Sequence, residues 1–591
     1  MKSSPLVLPN DNRLPAGRLS DDTLQLNLVV GMSVWRPEAD SGPTIEVPAF
    51  REEGKSPQVP GPLIRVPAGT VIAATVRNEL PDSTLRIYGL VTRPDAAHDS
   101  LAIPPGESRA VTFAAGEPGS YLYWASLGIS KGERDQESQQ LAGGFVVDPP
   151  GGSPPDRVLV LNIWGTRTDS VTYRNALAIN GRSWPHTERI EATVGDTLRW
   201  RVLNGSTRNH PMHLHGFYFK VEARGDGFAD TLYSAAAQRM VVTEGMRPHT
   251  TYAMTWVAER PGNWLFHCHL GFHVVPSARL HPPHRDSGDR MAHDVGTHMA
   301  GLVLGIAVRS RPGVSEPARG NARRVHLYVQ EGVKRGRAPR SLGFVLQKGA
   351  RTPAADSVEI PGSLLLLTRG QPTDIVIVNR LKEPTAIHWH GIELESYSDG
   401  VAGWSGASDR LAPSVMPGDS FTARLSLPRA GTFMYHTHLN DIEQLTSGLY
   451  GGIVVLEPGK RFDPRRDHVF VAGWDGETRA PALPHIVVNG DSLPAPLVLT
   501  AGVAHRLRFI NIGPAGLYRM AIYRDTTLAS WKRLAKDGAD LAPGQAIRTP
   551  SQFTIAVGET YDFEFTPDRG KYRLNTEFRD KLLLTREVVV R

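Results

Sequence analysis

The chain is predicted to be all-β, with four β-sandwich domains arranged as a two-domain unit used twice. Three observations predict this. Short runs of Val, Ile, Leu, Thr and aromatic residues alternate with polar ones, as expected where successive side chains face opposite sides of a sheet. Gly (58) and Pro (46) break those runs at short intervals, and no long stretch carries a helical period. A strand ending in Asn recurs four times: TVIAATVRN to Asn78, TLRWRVLN to Asn204, TDIVIVN to Asn379 and AHRLRFIN to Asn511. Antiparallel sandwiches are the natural architecture for such a pattern.

The repeats set the order of the domains. PGPLIRVPAG, before the first copy, matches PGSLLLLTRG, before the third; LAINGRSWP and IVVNGDSLP link the second and fourth. The first and third Asn lie 301 residues apart and the second and fourth 307. The order is therefore A-B-A-B. Segments rich in Pro, Gly and charge at 148–157, 309–320 and 457–467 are the expected linkers. The domains are placed at residues 1–150, 151–312, 313–457 and 458–591, more chain than one hydrophobic core serves.

Composition narrows the function. Hydrophobic residues make up 40% and charged residues 21%, ordinary for a globular protein. The net charge of +6 and pI near 9.3 come from dispersed residues with no Lys/Arg run, which argues against nucleic-acid binding. No apolar run approaches the roughly 20 residues of a membrane span. MKSSPLVLPNDNR has no apolar core of a signal peptide, so none is expected in this chain. The single cysteine, Cys268, excludes an intrachain disulfide.

Four His-x-His pairs hold eight of the 21 histidines: His213/His215, His267/His269, His388/His390 and His436/His438. In a strand, each pair projects two imidazoles from one face, and imidazole is a common ligand for copper, zinc and iron. Cys268 lies between His267 and His269, so its thiol faces away from their rings. One strand then offers sulfur to a metal on one side and nitrogen to metals on the other. A thiolate, two imidazoles and a weak axial thioether form the blue-copper electron-transfer set; His210 and His273 are the candidate imidazoles.

HPMHLHG (210–216), HCHLGFH (267–273), HWHG (388–391) and YHTH (435–438) resemble the four copper signatures of the multicopper oxidase family, which includes the laccases. The resemblance covers essentially the whole chain and implies cupredoxin-like Greek-key sandwiches. By motif position it implies a type 1 copper on His210, Cys268 and His273 and a type 2 copper on His213 and His388. The type 3 pair would be held by His215, His267, His269, His390, His436 and His438, so four copper ions are expected per chain. It further implies one-electron oxidation of a small reducing substrate, with electrons passing through Cys268 to His267 and His269 and O2 reduced to water. Phenols and aromatic amines are the expected substrates; Cu(I), Mn(II) or Fe(II) is the alternative, weakened for Cu(I) by only 11 scattered Met. Copper nitrite reductase, or a copper carrier without oxidase activity, would leave several histidines unexplained. A periplasmic or secreted location follows from the family alone. A monomer is expected, because both halves of the cluster lie in one chain.

The chain departs from the laccase pattern in motif order. In laccases HWHG comes first; here HPMHLHG and HCH precede it. The duplicated unit accounts for this if the cluster forms between the second and third domains. The other possible cluster, from the first and fourth, is expected to be dead. Arg86 and Tyr88 replace the HWHG histidines, and Trp124 and Ser126 those of YHTH. Leu517, Met520 and Ile522 replace those of HPMHLHG, and Asn575, Thr576 and Glu577 replace His-Cys-His. The second departure is the axial ligand. Ala278 occupies its usual place, so Met299, just before the strand AGLVLGIAV, is expected in that role, with Met291 as the alternative. Asp399, in SYSDG, matches an acidic position that in the family lies near the type 2 copper and assists proton delivery; an ordinary Asp-Gly turn is the other reading. Val274 stands where some relatives carry a second acidic residue. The loop 280–298, with His281, His284, His293 and His298, lies close to the predicted type 1 site.

Overall fold

The computed structural model describes residues 4–91, 100–127, 137, 139–152, 154–167, 173–280, 298–313, 320–408, 410–439, 441–478 and 482–591. Its strands form eight sheets that pair into four sandwiches, spanning residues 8–148, 157–309, 323–456 and 467–590. Each sandwich closes on its own apolar core. Among the described residues, helix is confined to short turns and one six-residue segment, Asp441–Thr446. None is long and apolar enough to cross a membrane.

The recurrent Asn has a physical reason. Asn78, Asn204, Asn379 and Asn511 each end a strand and are buried. In every copy the side-chain oxygen accepts the N–H two residues on, and the amide donates to one carbonyl of the loop that follows and to a second from a segment 25–44 residues further along the chain. One residue thus satisfies buried backbone groups where the chain leaves the sheet.

The sheets are not purely antiparallel. In the second sandwich, strand Arg157–Arg167 runs parallel to Thr197–Asn204, and Arg189–Thr193 runs parallel to Val303–Arg309. The same two parallel pairs recur in the other three. They arise because the connection leaving each of these strands crosses to the opposite sheet and returns beside its own starting strand, a Greek-key route that hydrophobic alternation does not reveal.

The contact between the first and second sandwiches is repeated between the third and fourth. Arg201 bridges Ser120 Oγ (2.9 Å) and Asp156 (2.7 Å), while Thr251 Oγ1 donates to the Ser120 carbonyl (3.1 Å). Arg508 bridges Thr432 Oγ1 (2.9 Å) and Asp467 (2.7 Å), while Thr560 Oγ1 donates to the Thr432 carbonyl (2.9 Å).

Candidate metal centre

Two neighbouring strands of the second sandwich position both halves of the predicted site. Strand His210–Leu214 lies between Thr243–Met246 and Gly262–Cys268, with Met212 opposite Cys268 and His213 opposite His267. Alternation then sorts the side chains. Met212, Leu214 and Cys268 join the core. His213, His215, His267 and His269 turn to the other face, where they meet the third sandwich.

On the core side, Cys268 Sγ lies 3.6 Å from His210 Nδ1 and 3.5 Å from His273 Nδ1. His210 is held from behind by Ser206 Oγ, 2.8 Å from Nε2. His273 ends a tight turn, Gly271–His273, directly after the strand. Met299 is buried, and its segment is tied beside that turn: the Ala300 N–H donates to the Val274 carbonyl (2.8 Å) and the Cys268 N–H to the Leu302 carbonyl (3.0 Å). His298 is buried next to it. Met291, His281, His284 and His293 lie outside the described residues.

On the other face the eight paired histidines converge, every one of them buried. The third sandwich supplies His388 opposite His436 on adjacent strands, with His390 and His438 two residues on. His213 and His388 approach at 3.3 Å through their Nε2 atoms, His215 and His267 at 2.9 Å through theirs, and His269 Nε2 lies 3.1 Å from His390 Nδ1. The outer nitrogens are anchored. His213 Nδ1 meets the Val242 carbonyl (2.8 Å), His388 Nδ1 the Asp399 carbonyl (2.8 Å), His267 Nδ1 the Cys268 carbonyl (2.9 Å) and His436 Nδ1 the Thr437 carbonyl (2.7 Å).

These anchors decide what the centre can hold. A carbonyl accepts only, so each Nδ1 that meets one carries the ring's proton and leaves Nε2 with a lone pair. His213 and His388 therefore direct two lone pairs at each other. Protonating His213 is a poor remedy, because burial lowers the pKa of this and neighbouring imidazoles: to about 3 in His210, with Arg208 adding to it, to about 4 in His267 and to about 3 in His436. Burial, and then the neighbouring imidazoles, push His213, His215, His269, His390 and His438 well below the usual value. His436 Nε2 and His438 Nδ1 have no hydrogen-bond partner among the described residues. Neutral, inward-facing imidazoles fixed through their outer nitrogens are the arrangement of metal ligands. Burial also pushes the Cys268 thiol up, so its thiolate needs a cation beside it. The donor set of one sulfur and ten imidazoles fits copper. Sets of three donors within 4.8 Å of one another are His210–Cys268–His273, His213–His215–His267, His213–His388–His390, His269–His390–His436 and His215–His388–Asp399.

Asp399 is buried at the end of the turn Ser396–Ser398. Its Oδ2 accepts from His215 Nδ1 (2.8 Å) and Ser405 Oγ (3.2 Å), and its Oδ1 lies 3.3 Å from His388 Nδ1. Gly400 makes this turn possible: φ is +89°, and a Cβ there would stand 1.9 Å from the Ile387 carbonyl oxygen. Thr243, which the motifs do not mark, also touches the centre. Its hydroxyl lies 3.2 Å from both His213 Nδ1 and His390 Nε2.

The residues expected to replace ligands elsewhere lie apart from this centre. Trp124 stacks on His249 (4.2 Å between centroids) and on Tyr88 (5.6 Å), Arg86 pairs with Ser100, and Ser126 is buried. In the fourth sandwich the register shifts the expected correspondence by one residue. Met520 lies opposite Thr576 as Met212 lies opposite Cys268, so Tyr518, Ala521 and Tyr523, rather than Leu517, Met520 and Ile522, occupy the histidine positions. The loop after Asn511 is one residue longer than the loop after Asn204, which equal spacing from the Asn could not show. Asn575 and Glu577 flank Thr576, and Glu577 pairs with Arg519.

Comparison with known proteins agrees with this chemistry. A family model described as multicopper oxidase matches residues 153–276, and a second of the same description matches 54–152 and 349–460. Copper resistance protein A of Escherichia coli is 26% identical over 275 residues, 38% of this chain and 44% of that protein. A probable nitrite reductase-hydroxylamine oxidoreductase fusion protein of Kuenenia stuttgartiensis is 25% identical over 250 residues, 38% of this chain and 27% of that protein. The chain thus spans less than half the length of either relative. The crystal structure of a blue copper oxidase from Nitrosomonas europaea superposes with a TM-score of 0.36 at 20% identity, over 46% of this chain and 86% of that one.

Proposed function

Because this chain belongs to the multicopper oxidase family, we propose that it oxidises a small reducing substrate one electron at a time, with O2 as the acceptor. Four bound copper ions would supply the chemistry, a blue centre accepting electrons and a three-copper cluster reducing O2 to water. His210, Cys268 and His273, with Met299 as axial ligand, would hold the blue copper. His213 and His388 would hold the type 2 ion, and His215, His267, His269, His390, His436 and His438 the type 3 pair. The reading takes 1–150, 151–312, 313–457 and 458–591 as the domains, with the cluster between the second and third.

The observation that carries this reading is the pair of lone-pair nitrogens that His213 and His388 direct at each other at 3.3 Å in a buried site. Cys268 joins the two centres covalently, its sulfur toward His210 and His273 and its flanking imidazoles toward the other histidines. Asp399 orients His215 through Oδ2, and its other oxygen is placed to pass protons toward the cluster. A nitrite reductase needs a single copper beyond the blue one, which would leave most of the facing imidazoles without a cation. Phenols or aromatic amines are the proposed reductants, since the 11 Met form no cluster in the sequence that would mark a cuprous-ion site.

Copper content per chain and O2 consumption test the reading together. Four tightly held ions, with O2 uptake driven by a phenol faster than by Cu(I) or Mn(II), are expected. A single blue copper without O2 uptake would make the protein an electron carrier.

A further inference from the structure

Among the described residues the fourth sandwich contributes to no group of three metal donors, yet it reaches the edge of the cluster. Strand Thr243–Met246 is the edge strand of its sheet and pairs directly with the strand of His213. An edge strand presents unpaired backbone groups, and here a hairpin of the fourth sandwich takes them. Asp537 Oδ2 accepts the N–H groups of Val242 and Thr243 (both 3.1 Å), and Lys536 Nζ donates to the Thr243 carbonyl (2.8 Å). Glu559 accepts the Gly245 N–H (3.2 Å).

The gripped residues are the ones that anchor two predicted ligands. The Val242 carbonyl holds His213 Nδ1, and the Thr243 hydroxyl touches both His213 and His390. The hairpin itself is unusual. Asp537 and Gly538 have φ of +49° and +76°, as in the tight turns that Asp-Gly favours. Such tips normally lie in water; this one is buried, with Asp537 Oδ1 accepting the Thr560 N–H (2.9 Å). Lys536 is locked between Glu244 (3.1 Å) and Glu559 (2.9 Å). Against burial, which would raise it, Lys536, Arg239 and Arg224 hold the Glu244 carboxyl down at about 2. In the first copy of the unit, the position paired with Thr251, as Asp537 is with Thr560, is Gly225, which has no side chain to grip anything.

We infer that Lys536 and Asp537 are positioning residues of the histidine cluster, orienting the His213 and His390 imidazoles through Val242 and Thr243. This inference rests on the reading of that cluster as a copper site. A hydrogen-bonded group behind a ligand commonly contributes tenfold to hundredfold in metal affinity, and here the groups behind two ligands share one clamp.

The test uses the full-length, copper-loaded chain carrying Asp537→Asn, Lys536→Met or Thr243→Val. Copper per chain, the blue absorption and the electron paramagnetic resonance of the type 2 ion are read for each. A loss of copper affinity of about tenfold to hundredfold at the cluster, or an altered type 2 signal, with the blue absorption intact, is expected. Should Asp537→Asn not fold, Thr243→Val decides, since it deletes the hydroxyl by which the gripped residue touches both rings and leaves the backbone groups that the clamp holds. Wild-type copper content and type 2 signal in the folded variants overturn the inference alone. A parent chain that holds only the blue copper overturns the reading beneath it as well.

Discussion

Replacing Gly558 by Ala places a single methyl group against the histidine cluster from the side of the fourth sandwich. A Cβ at this position would stand 2.8 Å from His269 Cγ, 2.9 Å from His269 Cδ2 and 3.2 Å from His390 Cε1. Carbon atoms in contact prefer about 3.5–4.0 Å, so something must move by roughly 0.5–1 Å. The loop is poorly placed to retreat: the Gly558 N–H donates to the Asn511 carbonyl (2.8 Å), and Asn511 is itself fixed by its buried side-chain bonds. The rings therefore yield, by more than the ~0.5 Å tolerance of a working site. Gly558 also has φ +80°, which costs an alanine about 1–2 kcal/mol. Gly558→Ala is expected to lose about 1–3 kcal/mol of stability and copper from the cluster, while the blue absorption stays, because Cys268 and His273 face away. Denaturant unfolding of the copper-loaded chain, with copper counted per chain, measures both effects. His249 is the matched control, since it holds the corresponding place in the first copy and stacks on Trp124; His249→Ala should leave copper content unchanged. A Gly558→Ala protein with full copper and undiminished O2 uptake would refute the argument that this loop closes on the cluster.

Cys268→Ser should abolish the blue absorption and substrate-driven O2 uptake while the histidine cluster keeps its metal, so that copper analysis finds about three ions per chain rather than none. Met299→Leu is expected to stay blue and to raise the reduction potential of the blue centre; an unchanged potential in a redox titration would exclude Met299 as axial ligand. Asp399→Asn keeps one oxygen able to accept the His215 N–H but removes the carboxylate charge and the group that could carry a proton, and turnover at saturating substrate should drop about tenfold to hundredfold. An Asp399→Asn enzyme that keeps full turnover would reduce Asp399 to a turn residue.

The convergence of these side chains was legible because each is marked twice, by residue type and by spacing. A His-x-His pair on a strand has one geometric outcome, two rings on one face, and Cys268 between two histidines has one as well. The recurrent Asn was legible for a similar reason: a strand that ends by turning into a loop must satisfy the same buried groups every time. What stayed hidden depends on distance in the chain. Thr243 looks like any strand threonine, and Asp537-Gly538 reads as a solvent-facing hairpin turn. Strand pairing sets Thr243 beside His213, and the packing of the fourth sandwich on the second brings the hairpin to Thr243. The correspondence in the fourth sandwich missed by one residue because a loop insertion leaves no mark in composition, whereas strand register reveals it at once.

The two copies of the unit show what the fourth sandwich contributes to this arrangement. The Arg201 and Arg508 contacts fix each B sandwich to its A partner in the same way. Once the fourth is held on the third, its Lys536–Gly538 hairpin and its Gly558 loop fall against the second, beside strand Thr243–Met246 and against His269 and His390. The first pair has diverged in the opposite sense: Tyr88 and His249 stack on Trp124, and Phe228 packs against it at a tilt, so that rings fill the interface. Aromatic rings stabilise by burial alone, whereas an interface of buried imidazoles is satisfied only with a cation among them. The chain thus carries one interface that is complete without metal and one that is not, joined through equivalent contacts. Unfolding should therefore become copper-dependent first at the boundary between the second, third and fourth sandwiches, with the boundary between the first and second unaffected.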